Sequence, residues 1–315
     1  MILVVMGCLW ACFEVFCIAA NTVFGGLVND IVPQAVIGRF FGLFRAISLV
    51  AGMIFYFRIM GKAESYFMWI FIGIGVLYGV GFILMCLNLK EGDYPPPPAV
   101  AGRSRLLPAF RSYLKDSYGC PYYLLFFAAS ILSGLASNPF NIYSLFYAKS
   151  LGVSLDAFGI GIALTYAISL ALAYPLGALA DRFHPLFVNL VALALYAGAM
   201  VWGAFTVRNS STYLVALVLH GVMSGIIATA GASISQRLLP RSKFTEISSA
   251  GGVLNSLMLI LVAPAMGAVL DAYGHAYRLT FVAGFLIAVA ALVVNFSLYR
   301  KFIAMGGAER YIAPE

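Results

Sequence analysis

The sequence predicts an all-α membrane protein crossing the bilayer nine times, on three observations. Hydrophobic residues make up 63% of the 315 and charged ones 10%, where soluble domains carry about 25% charge. Mean hydropathy is +0.96, more apolar surface than one soluble core can hide. Apolar runs of about 18 residues or more, enough to cross roughly 30 Å of hydrocarbon, recur along the chain.

These runs fall near 2–28, 35–57, 66–88, 122–147, 156–179, 186–207, 212–236, 246–270 and 278–299. In lipid every backbone amide must be bonded internally, so runs this long are helices; barrel strands are about ten residues and alternate. The break between the first two is the least marked, because Phe40 to Phe44 stays apolar around Arg39.

Basic residues orient the spans. Fourteen of the 19 lie in alternate connections and the tail: Arg39, Arg45, Lys90, Arg103, Arg105, Arg111, Lys115, Arg182, Arg237, Arg241, Lys243, Arg300, Lys301 and Arg310. Opposite them stand Arg58, Lys62, Lys149, Arg208 and Arg278. The positive-inside rule makes the first set cytoplasmic, with the C-terminus inside a cell (inner or plasma) membrane. This bias explains the net charge of +7 without a nucleic-acid partner. The first span has no charged leader region or cleavage site, so it does not read as a signal peptide. A chain starting outside on an uncharged full-length span is expected to be a truncation, a fragment or a late start.

Cys8, Cys12, Cys17, Cys86 and Cys120 form no CxxC pair and approach no histidine cluster in sequence. Neither a metal site nor a cofactor is expected.

The longest polar stretch, 90–120, holds Pro95 to Pro98, which favour a stiff extended segment. It divides the chain into 1–89, with three spans, and 121–303, with six; 304–315 form a tail. Within the linker, Leu106 to Lys115 mixes basic and apolar residues at helical spacing and is expected along the cytoplasmic membrane surface. An internal repeat supports the division. Asn29-Asp30-Ile31-Val32-Pro33 before the second span matches Gln236-Arg237-Leu238-Leu239-Pro240 before the eighth, each a polar pair, two apolar residues and a proline.

At Gly177-Ala178-Leu179-Ala180-Asp181-Arg182-Phe183, the chain resembles the major facilitator superfamily, whose loop motif is Gly-x-x-x-Asp-Arg. His184 and Pro185 replace the motif's continuation, so the match is partial. The Asp-x-x-Pro and Gly-Arg-x-x-Gly spacing of Asp30, Pro33, Gly38, Arg39 and Gly42 is similar to the family's fourth-to-fifth helix connection. The resemblance implies two six-helix bundles joined by a cytoplasmic loop, with the nine spans standing for helices four to twelve and the first three missing. It implies a secondary carrier of a small solute by alternating access, proton- or sodium-coupled, with Gly177, Asp181, Arg182, Asp30 and Arg39 as a cytoplasmic gate. The Lys90-Glu91 and proline-rich loop is similar to that of cation-coupled sugar carriers. A non-transporting receptor or scaffold of the same fold is the alternative. Without the family, Asp181 already ends a span, where an acid can pair with a neighbouring helix end or base.

Ionisable groups at bilayer depth cost at least about 2.5 kcal/mol, which makes them functional candidates. Glu14 is the only acid deep in a span; it is read as a coupling or substrate group, or as a protonated packing residue. His220 is a relay or a structural histidine. Asn138 and Asn141 flank Pro139, which breaks the helical ladder, and three-residue spacing puts both amides on one face. Tyr143 and Tyr147 read as interfacial aromatics. Asn255, Tyr166, Ser169, Ser224 and Thr229 are further cavity candidates. By the family mapping, the first, fourth and seventh spans line the cavity, whereas the third and ninth are peripheral. No HExxH, GxSxG or acidic metal cluster occurs in the spans, so no enzyme is expected. The partners implied are lipid, a small-molecule substrate and H+ or Na+, with no obligate protein partner.

Overall fold

Proline chemistry sets the punctuation of the chain. In the computed structural model, which describes residues 2–55, 63–88 and 106–314, α1 (Ile2–Ile31) ends just before Pro33. A single 3-10 turn, Gln34–Val36, leads into α2 (Ile37–Ile54). Pro240 gives the same arrangement: α10 (Ile234–Leu238) ends before it, the turn Arg241–Lys243 follows, and α11 (Phe244–Ala272) begins. Both prolines hold extended ψ angles, 137° and 136°. The repeat seen in the sequence is therefore a repeat of conformation.

Between them run α3 (Ala63–Asn88), α4 (Leu106–Tyr118), α5 (Pro121–Leu135), α6 (Asn138–Ser150), α7 (Leu155–Phe183), α8 (Pro185–Thr206) and α9 (Ser210–Gly231). After α11 come α12 (Leu279–Ala304) and the short α13 (Gly307–Arg310). The described residues contain nine membrane-length apolar helical spans and no strand. The predicted fourth span is two helices, α5 and α6, broken ahead of Pro139. The seventh likewise divides into α9 and α10. Local chemistry sets other ends. Ser154 caps α7 by accepting from the Ala157 amide, and Asn209 with Thr212 forms a capping box on α9. His184, at φ 71°, turns the chain between α7 and α8, because the residue before Pro185 avoids helical geometry.

Lipid gives no hydrophobic drive between helices, so small residues decide which pairs approach. The closest crossing is α2 on α7. A Cβ at Gly177 would lie 2.4 Å from the Gly38 carbonyl oxygen, and one at Gly42 would lie 2.6 Å from that of Ala173. Gly38-x-x-x-Gly42 thus beds α2 backbone to backbone on α7. Helices α5 to α9 and α12 share a core around Phe140, Tyr147, Tyr196, Met200, Tyr213 and Phe281. A second cluster at their other end holds Tyr123, Phe126, Phe127, Leu238 and Phe302. Helix α1 lies on α11. The apolar window of α3 has no buried residue, in keeping with a peripheral span.

Three expectations change. Arg45, assigned to a connection, sits inside α2. The 106–118 segment is helical, but it docks on α11 rather than only lying along a surface: Tyr118 donates to the Ala250 carbonyl at 2.9 Å and the Tyr113 and Ser249 hydroxyls meet at 3.1 Å. The prolines 95–98 lie outside the described residues. The ninth span, read as peripheral, is α12 and carries buried Asn295, which donates to Ser133 Oγ and the Ala129 and Ala291 carbonyls and accepts from Asn189. An interior asparagine in lipid must be satisfied in this way.

Candidate functional site

Two features share the α2–α7 interface. The first is a cavity of about 380 Å³ lined from four helices: Arg45 and Leu49 on α2, Asn141 and Ser144 on α6, Tyr166 and Ser169 among the α7 residues, and His220 and Ser224 on α9. Gly221 and Gly225 create room at the crossing. A Cβ at Gly221 would strike Thr165 Cγ2 at 2.4 Å, and one at Gly225 would lie 3.0 Å from Ser169 Oγ and 3.3 Å from Arg45 Nη2.

His220 is buried against the rings of Phe140 and Tyr196. Its Nε2 meets Asn141 Oδ1 at 2.9 Å, and its Nδ1 meets the Tyr196 hydroxyl at 3.1 Å. That hydroxyl also reaches the Ala136 carbonyl, freed by the break between α5 and α6, at 3.1 Å. A neutral ring donating to Asn141 needs the Tyr196 proton at Nδ1, in competition with Ala136. A protonated ring satisfies all three contacts at once, as does a neutral ring with the Asn141 amide turned over. The chain Asn141–His220–Tyr196 thus runs from cavity wall to core.

The second feature is a latch on Asp181, at the end of α7, whose side chain is 4% exposed. Its Oδ1 accepts from the Gly38 amide at 2.8 Å and from Arg237 Nη2 at 2.7 Å; its Oδ2 accepts from the Arg39 amide at 3.0 Å. Arg39 Nε adds a looser ion pair at 3.6 Å. The carboxylate thus sits on the amide end of α2, where the helix dipole favours an anion. Beside it Gln34 donates to the Gln236 carbonyl at 2.8 Å, so the two copies of the repeat touch. His184 packs on Phe302 with its Nδ1 accepting from the Leu186 amide. Burial first, and the Arg237 charge second, push its pKa down to about 4.

Of the residues singled out from sequence, the cavity unites Asn141, His220, Tyr166, Ser169 and Ser224. Asn138 is held by the Gly134 carbonyl at 3.3 Å and does not line it. Thr229 donates to the Gly225 carbonyl. Asn255 lines a separate space of about 310 Å³ between α5, α9–α10 and α11. Glu14 is exposed on α1 and is not part of the cavity wall. Of the predicted gate, Gly177, Asp181 and Arg39 come together; Arg182 is exposed over the Phe183 ring, and Asp30 is exposed at the end of α1. Sequence reasoning missed Arg45 and Arg237. The signal for Arg45 was present, a charge ten residues past the start of the apolar span 35–57.

The sequence profile of the Major Facilitator Superfamily matches residues 3–207 and 125–304. A crystal structure of a bacterial homologue of the iron transporter ferroportin, in an outward-facing state, is similar to the chain with a TM-score of 0.65. The match covers 89% of this chain and 68% of that one at 16% identity, a likeness of fold. No curated protein sequence matches the chain. With the profile spanning nearly every residue, and nine membrane-length apolar spans among the described residues, the chain belongs to the Major Facilitator Superfamily of membrane transporters.

Proposed function

We propose that the chain carries a small solute by alternating access, with α1–α3 rocking against the α5–α12 half about the cavity that Arg45, Asn141, Tyr166 and His220 line. The observation that carries this reading is the placing of cavity and latch on one interface. Arg45 lies six residues beyond Arg39 on α2, and Ser169 lies twelve before Asp181 on α7, which at 1.5 Å per residue is about 9 and 18 Å. A solute site at that depth, with one end of the interface locked, is the geometry alternating access requires. The basic connections put the locked end in the cytoplasm; maleimide labelling of Arg105→Cys from outside intact cells would overturn that orientation.

Coupling to H+ or Na+ falls in this reading to Glu14 or to the His220 chain. The test is flux through the purified chain in liposomes, by isotope counterflow with sugars, amino acids and organic acids, each with and without imposed proton and sodium gradients. Saturable counterflow of one class is the expected result. Saturable binding without flux would instead make the protein a receptor with a carrier's fold.

A further inference from the structure

We propose that the cavity recognises a small organic anion, a carboxylate or phosphate ester, through Arg45; this rests on the cavity being the solute site argued above. A guanidinium at this depth is costly to bury unpaired. Among the described residues no acid lines the cavity and none forms an ion pair with Arg45. Its Nε is buried without a hydrogen-bond partner. Apart from the titratable His220, the described wall is otherwise neutral: the Ser144, Thr165, Tyr166, Ser169 and Ser224 hydroxyls and the Asn141 amide.

A single fixed positive charge repels metal cations and leaves a neutral solute nothing with which to balance it. An anionic oxygen group supplies that balance, and the planar guanidinium fits carboxylate and phosphate geometry. The donors for the group are set together: Arg45 Nη2 and Ser169 Oγ converge over Gly225, where a Cβ would lie 3.3 and 3.0 Å from them, and both side chains line the cavity. The body of the ligand then lies against Leu49, Phe158, Ile162 and Leu217 on the apolar side of the cavity. About 380 Å³ suits a molecule of one ring or a short chain.

The test compares charged probes with neutral counterparts on the purified full chain: benzoate against benzamide, and glycerol 3-phosphate against glycerol. Binding is read by saturable thermal stabilisation in detergent. At least one anion is expected to stabilise the protein while its neutral counterpart does not, and which of the two does so separates carboxylate from phosphate. Arg45→Gln should weaken that binding by about tenfold to a hundredfold, the worth of a charge-assisted hydrogen bond. Arg45→Lys should fall between. Ligand-free Arg45→Gln should melt no lower than the parent, because a buried unpaired charge has gone; a lower melting point would mark Arg45 as structural and overturn the proposal. Equal stabilisation by neutral and charged probes, stabilisation by neither anion, or unchanged anion binding in Arg45→Gln would each overturn it too. Arg45-dependent anion binding without flux in liposomes would remove the transport reading and leave the anion site. Flux of a neutral solute, untouched by Arg45→Gln, would do the reverse.

Discussion

Arg237 Nη2 stands 2.7 Å from Asp181 Oδ1 while the same oxygen accepts the Gly38 amide, so one carboxylate ties together α10, α7 and α2. Arg39, half exposed at 3.6 Å, adds little by comparison, since a solvated ion pair is worth about 0–1 kcal/mol. Asp181→Asn keeps an acceptor for the Gly38 amide and removes the charge. The locked arrangement should lose on the order of 1.5–3 kcal/mol, a tenfold or greater shift toward opening. Disulfide formation between Gln34→Cys and Gln236→Cys, whose parent residues touch, should slow accordingly. An unchanged rate would show that the carboxylate does not hold the interface.

Gly177→Ala should force α2 from α7, because its new Cβ would meet the Gly38 backbone at 2.4 Å and backbone cannot swing aside. A loss of roughly 1–3 kcal/mol is expected from such overpacking, read as a lower melting temperature. Gly198→Ala on α8, where a Cβ meets nothing within 4 Å, is the control and should melt at or above the parent. Equal melting of the two variants would contradict the backbone-to-backbone crossing.

Glu14→Gln separates coupling from recognition. Glutamine keeps the shape and cannot titrate, so if Glu14 is the coupling group, gradient-driven uptake should disappear while counterflow survives. Because Glu14 does not line the cavity, the affinity for the solute should stay within about twofold, well under the tenfold that 1.4 kcal/mol represents. Driven uptake at the parent rate would leave coupling to the His220 chain.

His184 predicts a pH dependence. Its pKa, lowered from 6.5 to about 4 by burial and by Arg237, means that the unfolded chain binds the proton more tightly than the folded one. Its neutral form therefore contributes stability that is complete above about pH 6.5 and is lost as pH falls toward 4. The melting temperature should drop across that window, and His184→Asn should flatten the drop. A variant that keeps the full acid sensitivity would place its origin elsewhere.

Local features were legible because local chemistry produces them. Hydropathy set the number of spans, since a helix in lipid must satisfy its own backbone wherever it packs. Pro139 broke the fourth span, and Pro33 and Pro240 wrote the same turn twice. The acid at the end of α7 could be read from position alone as pairing with a helix end or a base, and the family resemblance grouped Arg39 with it. Arg237 could not be read: it lies 56 residues away, and its arrival depends on how three helix ends meet.

The cavity divides the same way. Polar residues inside apolar runs marked His220, Asn141 and Tyr166 as candidates, but not which face of each helix looks inward. Asn138 and Asn141 share a sequence signal; only Asn141 reaches His220, while Asn138 turns to its own preceding turn. Arg45 read as one more cytoplasmic charge until the glycine crossings of α2 on α7, and of α9 on α7, set the helices close enough for a guanidinium to lie over Gly225. The sequence by itself determined spans, breaks and repeat, because each follows from a residue and its near neighbours. Only the tertiary structure decided the cavity wall and the partners of Asp181, because helix rotation and crossing are set by contacts between residues far apart in the chain.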